Sequence, residues 1–256
     1  MIRELMLSLT RPRSLIGYSR TGFPVLLSCA ILCLLGGLYY ALCASPDDYQ
    51  HGNYVRIMYI HVPAAWLSVA IYVLMGVSSF LWLWQKIPLF HYLPKAASSL
   101  GIFFTILCLV SGSLWGKVAW GTYWVWDARL TSMFILLMLY VGYFLLITSF
   151  KDQEEGLKFG HYLLLIGLIN IPIIKFSVTW WYTLHQPASI MKFAASSIHP
   201  SMLPPLALMF LGFSLFFSAF LLLNLRRVLV FVKIKRLVES ENFSGKKTYV
   251  LSKRNS

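Results

Sequence analysis

A chain of 256 residues that is 58% apolar and only 12% charged lies far from the composition of soluble domains, which carry about 25% charged residues. The formal net charge of +13 would suit a nucleic-acid binder, but the basic residues gather on alternate connections between apolar runs rather than in one patch. Four cysteines, Cys29, Cys33, Cys43 and Cys108, form neither a C-x-x-C nor a C-x-x-C-H motif, which excludes a dithiol oxidoreductase and a covalent c-type cytochrome.

Residues 1–22 set Leu5, Leu7, Leu9 and Leu15 among Arg3, Arg11, Arg13 and Arg20, the pattern of an interfacial amphipathic segment. The first apolar run, 23–44, is too long for a cleaved signal, has an extended preface and lacks a small-x-small site, so it reads as a retained anchor. Cys29 and Cys33 share a helix face there as small packing residues, and Ala41-Leu42 before Cys43 makes a poor lipoprotein box. Further apolar runs follow at 62–84, 96–114, 130–150, 159–178 and 202–225. Each of the six reaches about the 20 residues that a helix needs to cross a hydrocarbon core of ~30 Å. Lipid cannot satisfy backbone polar groups, and nothing alternates with the period of two that barrel strands show, so the spans are predicted helical. The expected fold is all-α: a polytopic six-transmembrane-helix bundle over residues 23–225, followed by a basic tail over 226–256.

Of the 22 Lys and Arg, 17 fall before span one, after spans two and four, or in the tail. Arg56, Lys117, Arg129, Lys175 and Lys192 lie on the other side. By the positive-inside rule both termini are expected in the cytoplasm, with connections 45–60, 115–129 and 179–201 outside. The tail suits a topology signal and a contact with anionic lipid. The inner connections, 85–95 and 151–158, read as ordinary charged loops.

Seven of the nine tryptophans belong to the outer half: Trp66, Trp115, Trp120, Trp124, Trp126, Trp180 and Trp181. Only Trp82 and Trp84 mark the inner boundary. An interfacial aromatic belt would populate both sides, so the dense stretch from Trp115 to Trp126 reads better as an aromatic platform for a flat, apolar, polarizable ligand. Gly116 and Gly121 interrupt it, allowing a sharp turn or a close backbone approach. Were the stretch helical, Trp120 and Trp124 would share a face; a re-entrant or surface-lying segment fits equally.

The six histidines sort by side. His91 and His161, at the inner boundary, call for no special role. His51, beside Asp47 and Asp48, reads as a solvated surface residue, and His199, before Pro200, as a weak candidate. His61 lies at the outer mouth of span two in an apolar setting, and His185 follows span five beside Trp180 and Trp181. One such histidine is ordinarily a hydrogen-bonded interface residue; two on the same side, flanking an aromatic loop, favour ligation. Imidazole is a preferred ligand of haem iron, and two segments can approach a planar macrocycle from opposite faces. A zinc site would need three or four ligands, which no His or Cys cluster supplies. Arg56, Lys117, Arg129 and Lys192 are candidate countercharges for haem propionates, Arg129 first, although a snorkelling cation is an equal reading for it. Asp127 suits both an arginine or ligand network and the N-cap of span four.

The run Trp120-Gly121-Thr122-Tyr123-Trp124-Val125-Trp126-Asp127-Ala128-Arg129-Leu130-Thr131 resembles the tryptophan-rich signature of the haem-handling proteins of cytochrome c biogenesis. Length, span number and flanking segments are similar, over nearly the whole chain, to the haem exporter protein C family of the cytochrome c maturation system. Tyr59-Ile60-His61-Val62-Pro63-Ala64-Ala65 and Trp180-Trp181-Tyr182-Thr183-Leu184-His185-Gln186 resemble its two histidine-bearing outer segments. The larger synthetases of that superfamily have more spans and more histidines.

The resemblance implies that His61 and His185 are axial ligands of a b-type haem lying against the loop (115–131), with Trp115, Trp120, Gly121, Trp124, Trp126, Asp127 and Arg129 around it. It further implies a multi-pass protein of the bacterial inner membrane whose site faces the periplasm. Haem would be handed to a periplasmic haem chaperone, released with the help of ABC transporter subunits and a small single-span membrane subunit. No G-x-x-x-x-G-K loop is present, so nucleotide use is expected of a partner, and the chain is expected to be a handover protein rather than an enzyme. Two other classes compete. A bis-His cytochrome b redox subunit would place ligands within helices at two depths. A haem-transporting permease could use helices broken at Asn170, Pro172 and Lys175 in span five and at Pro204 and Pro205 in span six.

Overall fold

A computed structural model describes residues 12–48, 52–185 and 199–254; His51 and Lys192 lie outside these, as do residues 1–11 of the amphipathic segment. The architecture is all-α, and among the described residues the only extended pairing is an isolated bridge between Asp48 and Gly52. Helix α1 (Pro12–Tyr39) runs into a π-turn (Tyr40–Ala44), and a 3-10 turn (Asn53–Ile57) leads into α2 (Met58–Gln85). Then come α3 (Pro88–Trp120), α4 (Ala128–Ser149), α5 (Gln153–Gly167) and α6 (Asn170–Trp180). A second 3-10 turn (Pro200–Met202) opens α7 (Leu203–Arg254). Six stretches are long and apolar enough to cross a membrane, Gly17–Ala44, Asn53–Gln85, Pro88–Trp120, Ala128–Ser149, Gln153–Trp180 and Pro200–Lys235. They cover the six runs expected from the sequence, the fourth to within one residue.

Most helices are longer than their apolar runs, and the connections correspondingly shorter. Residues 88–95, expected in a loop, are the first two turns of α3. Lys86 takes a left-handed conformation (φ 56°) and its N–H returns to the Trp82 carbonyl at 2.9 Å, closing α2. Pro88 then starts α3 at a position where a missing N–H costs nothing. On the far side of α4 only Phe150 to Asp152 stay outside a helix. The Asp152 carboxylate accepts from the Glu154 N–H at 3.0 Å, and Glu154 and Glu155 occupy the first turn of α5, where the helix dipole favours negative charge.

Span five is broken as its proline suggests. Pro172 has no N–H to offer the Leu168 carbonyl, which takes the Ile171 N–H at 3.0 Å instead, so the helix lapses at Leu168 and Ile169. The break is packed, not open. A side chain at Gly76 would collide with Leu168, and the Asn170 amide donates to the Ser132 carbonyl at 2.9 Å. Pro204 and Pro205 sit in the first turn of α7, where they start a helix rather than break one.

Two helix pairs dominate the packing: α1 lies along α7, and α2 along α3, with α4 against α3, α5 and α6. With lipid outside, close fit rather than water exclusion holds such helices together, and small residues permit it. A Cβ at Gly101 would strike the Tyr140 ring and one at Gly167 the Tyr72 hydroxyl. Those two rings meet edge to face at 5.1 Å, and the Tyr140 hydroxyl donates to the Ser68 carbonyl at 2.7 Å. A second, smaller core of Ala41, Val55, Met58, Tyr59, Met202, Leu206 and Met209, with Trp115 packed against it, supports the end of the bundle that carries the tryptophan loop.

Candidate functional site

His61 stands in the first turns of α2 and points at α3. Its Nδ1 lies 3.0 Å from the Cys108 carbonyl and 3.2 Å from Ser111 Oγ. A carbonyl can only accept, and Ser111 gives its own proton to the Leu107 carbonyl at 2.6 Å. The proton therefore resides on Nδ1, and Nε2 keeps its lone pair. Among the described residues Nε2 makes no hydrogen bond. Gly112 makes room for the ring, since a Cβ there would lie 2.8 Å from His61 Cε1. Trp115, one turn on, meets the imidazole edge to face at 5.9 Å.

The tryptophan stretch is part helix and part turn. Helix α3 carries Trp115 and Trp120, including Gly116 within it, and ends where Gly121 adopts φ 78°, a left-handed value that suits glycine. Trp120 and Trp124 thus do not share a helix face. Ring contacts fall into two sets. Trp120 meets the half-buried His185 at 6.0 Å, while Trp124 meets Trp126 at 5.3 Å and both meet Phe134 of α4 at 6.2 Å. The turn is pinned by Ser113 Oγ on the Tyr123 carbonyl at 2.8 Å and by Lys117 Nζ on the Gly121 carbonyl at 2.9 Å. Trp66, counted with the outer half in the sequence, packs on Phe210 of α7.

Asp127 caps α4, accepting from the Leu130 N–H at 2.8 Å. Its other oxygen, Oδ2, and Trp124 Nε1 are both buried without a hydrogen-bond partner among the described residues. Arg129 follows in the first turn of α4. It makes no hydrogen bond among the described residues and lies within electrostatic range of His61 and of Asp127. His185 also lies within electrostatic range of His61, so one neighbourhood holds both histidines and Arg129. Of the other expected countercharges, Arg56 pairs with Asp47 at 3.4 Å and Lys117 sits over the Tyr123 ring at 5.3 Å. His199 caps its own turn, its Nδ1 accepting from the Ser201 N–H at 3.4 Å.

Sequence reasoning missed the residues that orient His61: the Cys108 carbonyl, Ser111 and Gly112. The small run Ser111-Gly112-Ser113 in span three was the available sign that a bulky ring approaches there. It also passed over His91 and His161, which are fully buried and bonded to each other, with Nδ1 of His91 2.8 Å from Nε2 of His161.

The sequence profile of a family described as heme exporter protein C matches residues 5–239. The chain is 42% identical over 232 residues to heme exporter protein C of Bradyrhizobium diazoefficiens, covering 91% of this chain and 88% of that one. It is 40% identical over 218 residues to the protein of the same name from Escherichia coli K12, covering 85% and 88%. A third relative of that name, from Haemophilus influenzae, is 45% identical over 183 residues, covering 71% and 74%.

The chain belongs to the heme exporter protein C family.

For a heme exporter protein C the fit of these residues to haem is a question of donor chemistry. A neutral imidazole with its Nδ1 proton held by a backbone carbonyl and its Nε2 lone pair uncommitted is the form in which histidine ligates iron. The unpaired Trp124 Nε1–H and the Arg129 guanidinium are both donors suited to a carboxylate. Asp127 Oδ2 does not fit a propionate, because both would be acceptors; its shown role is the cap. The residues at the loop face fit haem through His61, Trp124 and Arg129.

Proposed function

We propose that this member of the family holds haem as cargo at its tryptophan-loop face and delivers it for cytochrome c maturation. The iron of a b-type haem is held between Nε2 of His61 and the imidazole of His185. Trp115 and Trp120 pack beside the two histidines and Arg129 offers the countercharge to a propionate. The observation that carries this reading is the His61 tautomer. With its Nδ1–H given to the Cys108 carbonyl, the ring is aimed and its other nitrogen is left as a base, the arrangement found behind most metal-ligating histidines.

The chain's own residues supply binding and presentation. Gly112 and Trp115 fix the His61 ring plane, and the Gly121 turn leads to Trp126, which is 72% exposed. An exposed aromatic edge suits docking of an acceptor. That acceptor is a periplasmic haem chaperone, and the face is periplasmic, with both termini in the cytoplasm of a bacterium and the bundle in its inner membrane. The charge asymmetry of the connections supports this orientation. ABC transporter subunits and a small single-span subunit complete the assembly, and the energy of release comes from them. The chain itself acts as a handover protein rather than an enzyme.

A cytochrome b with haems at two depths gains no support from the second histidine pair. A nitrogen-to-nitrogen contact of 2.8 Å between His91 and His161 leaves no room for iron between them, since two Fe–N bonds of about 2 Å would be needed. The test is an absorption spectrum of the purified protein. His61→Ala and His185→Ala are each expected to lose the bis-His haem signature, with added imidazole restoring it. An unchanged spectrum in either variant would overturn the assignment.

A further inference from the structure

At the face opposite the tryptophan loop, four side chains from three helices form an unbroken hydrogen-bonded chain. Glu154 of α5 meets His91 of α3, Oε2 to Nε2, at 2.9 Å. His91 Nδ1 meets Nε2 of His161, also on α5, at 2.8 Å. His161 Nδ1 meets Ser79 Oγ of α2 at 2.9 Å, and Ser79 Oγ lies 2.9 Å from the Met75 carbonyl. His91, His161 and Ser79 are 2%, 0% and 0% exposed, whereas the Glu154 side chain is 44% exposed. The chain thus has one wet end and one end closed within the bundle.

Each imidazole uses both nitrogens, so proton positions along the chain are interdependent. Suppose that Ser79 donates to the Met75 carbonyl. Its oxygen then accepts from His161 Nδ1–H, which leaves His161 Nε2 to accept from His91 Nδ1–H. His91 Nε2 must then share a proton with the Glu154 carboxylate, either as an imidazolium facing a carboxylate or as an imidazole facing a carboxylic acid. Remove that one proton and the two inner bonds, His91 to His161 and His161 to Ser79, reverse. His91 Nε2–H donates to the carboxylate, His161 Nε2–H donates to His91 Nδ1, and Ser79 turns its hydroxyl to His161 Nδ1. No donor or acceptor in the chain is stranded in either arrangement, and the two differ by a single proton.

We propose that Glu154, His91, His161 and Ser79 form a proton-binding site, filled from the aqueous side at Glu154, which stores one proton and reverses its His91–His161 and His161–Ser79 hydrogen bonds on doing so. It is a store and not a wire, because beyond Ser79 the path ends on the Met75 carbonyl. Its charged and hydroxyl neighbours lie on α3, on α7 and past the end of α2, and the Tyr143 ring of α4 lies against Gly160, next to His161. The Tyr92 hydroxyl donates to Glu154 Oε1 at 2.8 Å, which keeps Oε2 turned to His91. Lys86, past the end of α2, lies within electrostatic range of His161, and Lys95 of α3 within range of both Glu154 and Lys235 of α7. Trp82 covers the pair, 4.3 Å from the His91 ring, and shields it from the lipid boundary. This site is independent of the haem assignment.

The sharpest consequence concerns His161, which stays uncharged in both states and changes tautomer. Nitrogen NMR of the full-length protein in detergent, with 15N-labelled imidazoles and His161 assigned by its loss in His161→Gln, reads this directly. Rising pH is expected to convert His161 from the Nδ1–H to the Nε2–H form in one step, with release of the single stored proton. A single His161 tautomer throughout, or a doubly protonated His161, would overturn the proposal. In Glu154→Gln the amide oxygen faces Tyr92 and its NH2 donates to His91, which locks His161 as Nδ1–H without a stored proton. A persisting pH step in that variant would equally overturn it. If Glu154→Gln does not fold, the titration of the unaltered protein decides alone.

Discussion

Two pairs of histidines occupy opposite ends of this bundle, and they differ in what their second nitrogens do. At the loop face, His61 gives one nitrogen to a backbone carbonyl and keeps the other uncommitted. At the far face, His91 and His161 spend all four nitrogens on Glu154, Ser79 and each other. The same side chain in helices of the same apolar character keeps an uncommitted nitrogen in one place and joins a hydrogen-bonded chain in the other. The partners differ: His61 faces the Cys108 carbonyl and Ser111, whereas His161 faces His91 and Ser79.

The comparison can be broken in two places. The larger effect on haem is expected from Gly112→Leu, which leaves His61 in the chain and takes away the space its ring occupies, a Cβ alone lying 2.8 Å from Cε1. Displaced supporting contacts typically cost about 10- to 100-fold in metal affinity. Haem titration of the purified variant should show a loss in that range; full affinity would mean that the ring is not held by α3. The smaller effect concerns the far pair. His161→Phe strands His91 Nδ1 in the interior, while the Ser79 hydroxyl keeps the Met75 carbonyl, and a buried polar group without a partner costs about 1–3 kcal/mol. Thermal unfolding in detergent should fall accordingly while the haem spectrum stays as it was. A lost haem spectrum with unaltered unfolding would show that the two ends do not divide the work as described.

The six spans were legible because a membrane demands length and apolarity, and both are sums over residues. Their ends were less so. Pro88 to Lys95 looks like a charged loop until Lys86 turns back and Pro88 nucleates the helix, and α3 continues through Trp115 and Lys117 because nothing stops it before Gly121. His61 and His185 stood out by side and by aromatic company, whereas the atoms that aim His61 come from a helix 47 and 50 residues further along, a juxtaposition no local pattern records. The far pair escaped for the same reason: its members are 70 residues apart, and each alone is an ordinary boundary histidine. Pro172 was the exception, a single residue whose missing N–H announced the break in span five.

That break gives the two proposed iron ligands unequal tethers. His61 belongs to an uninterrupted helix of 28 residues, whereas His185 follows an 11-residue helix that begins after the lapse at Leu168 and Ile169. Release of a cargo held between them is expected to begin at His185, whose support is the shorter and is anchored separately, through Asn170 on the Ser132 carbonyl. Pro172→Ala, by allowing the helix to run on through the break, should slow haem release to an acceptor in stopped-flow measurements without altering the equilibrium spectrum. Unchanged release would show that the break in span five does not govern it.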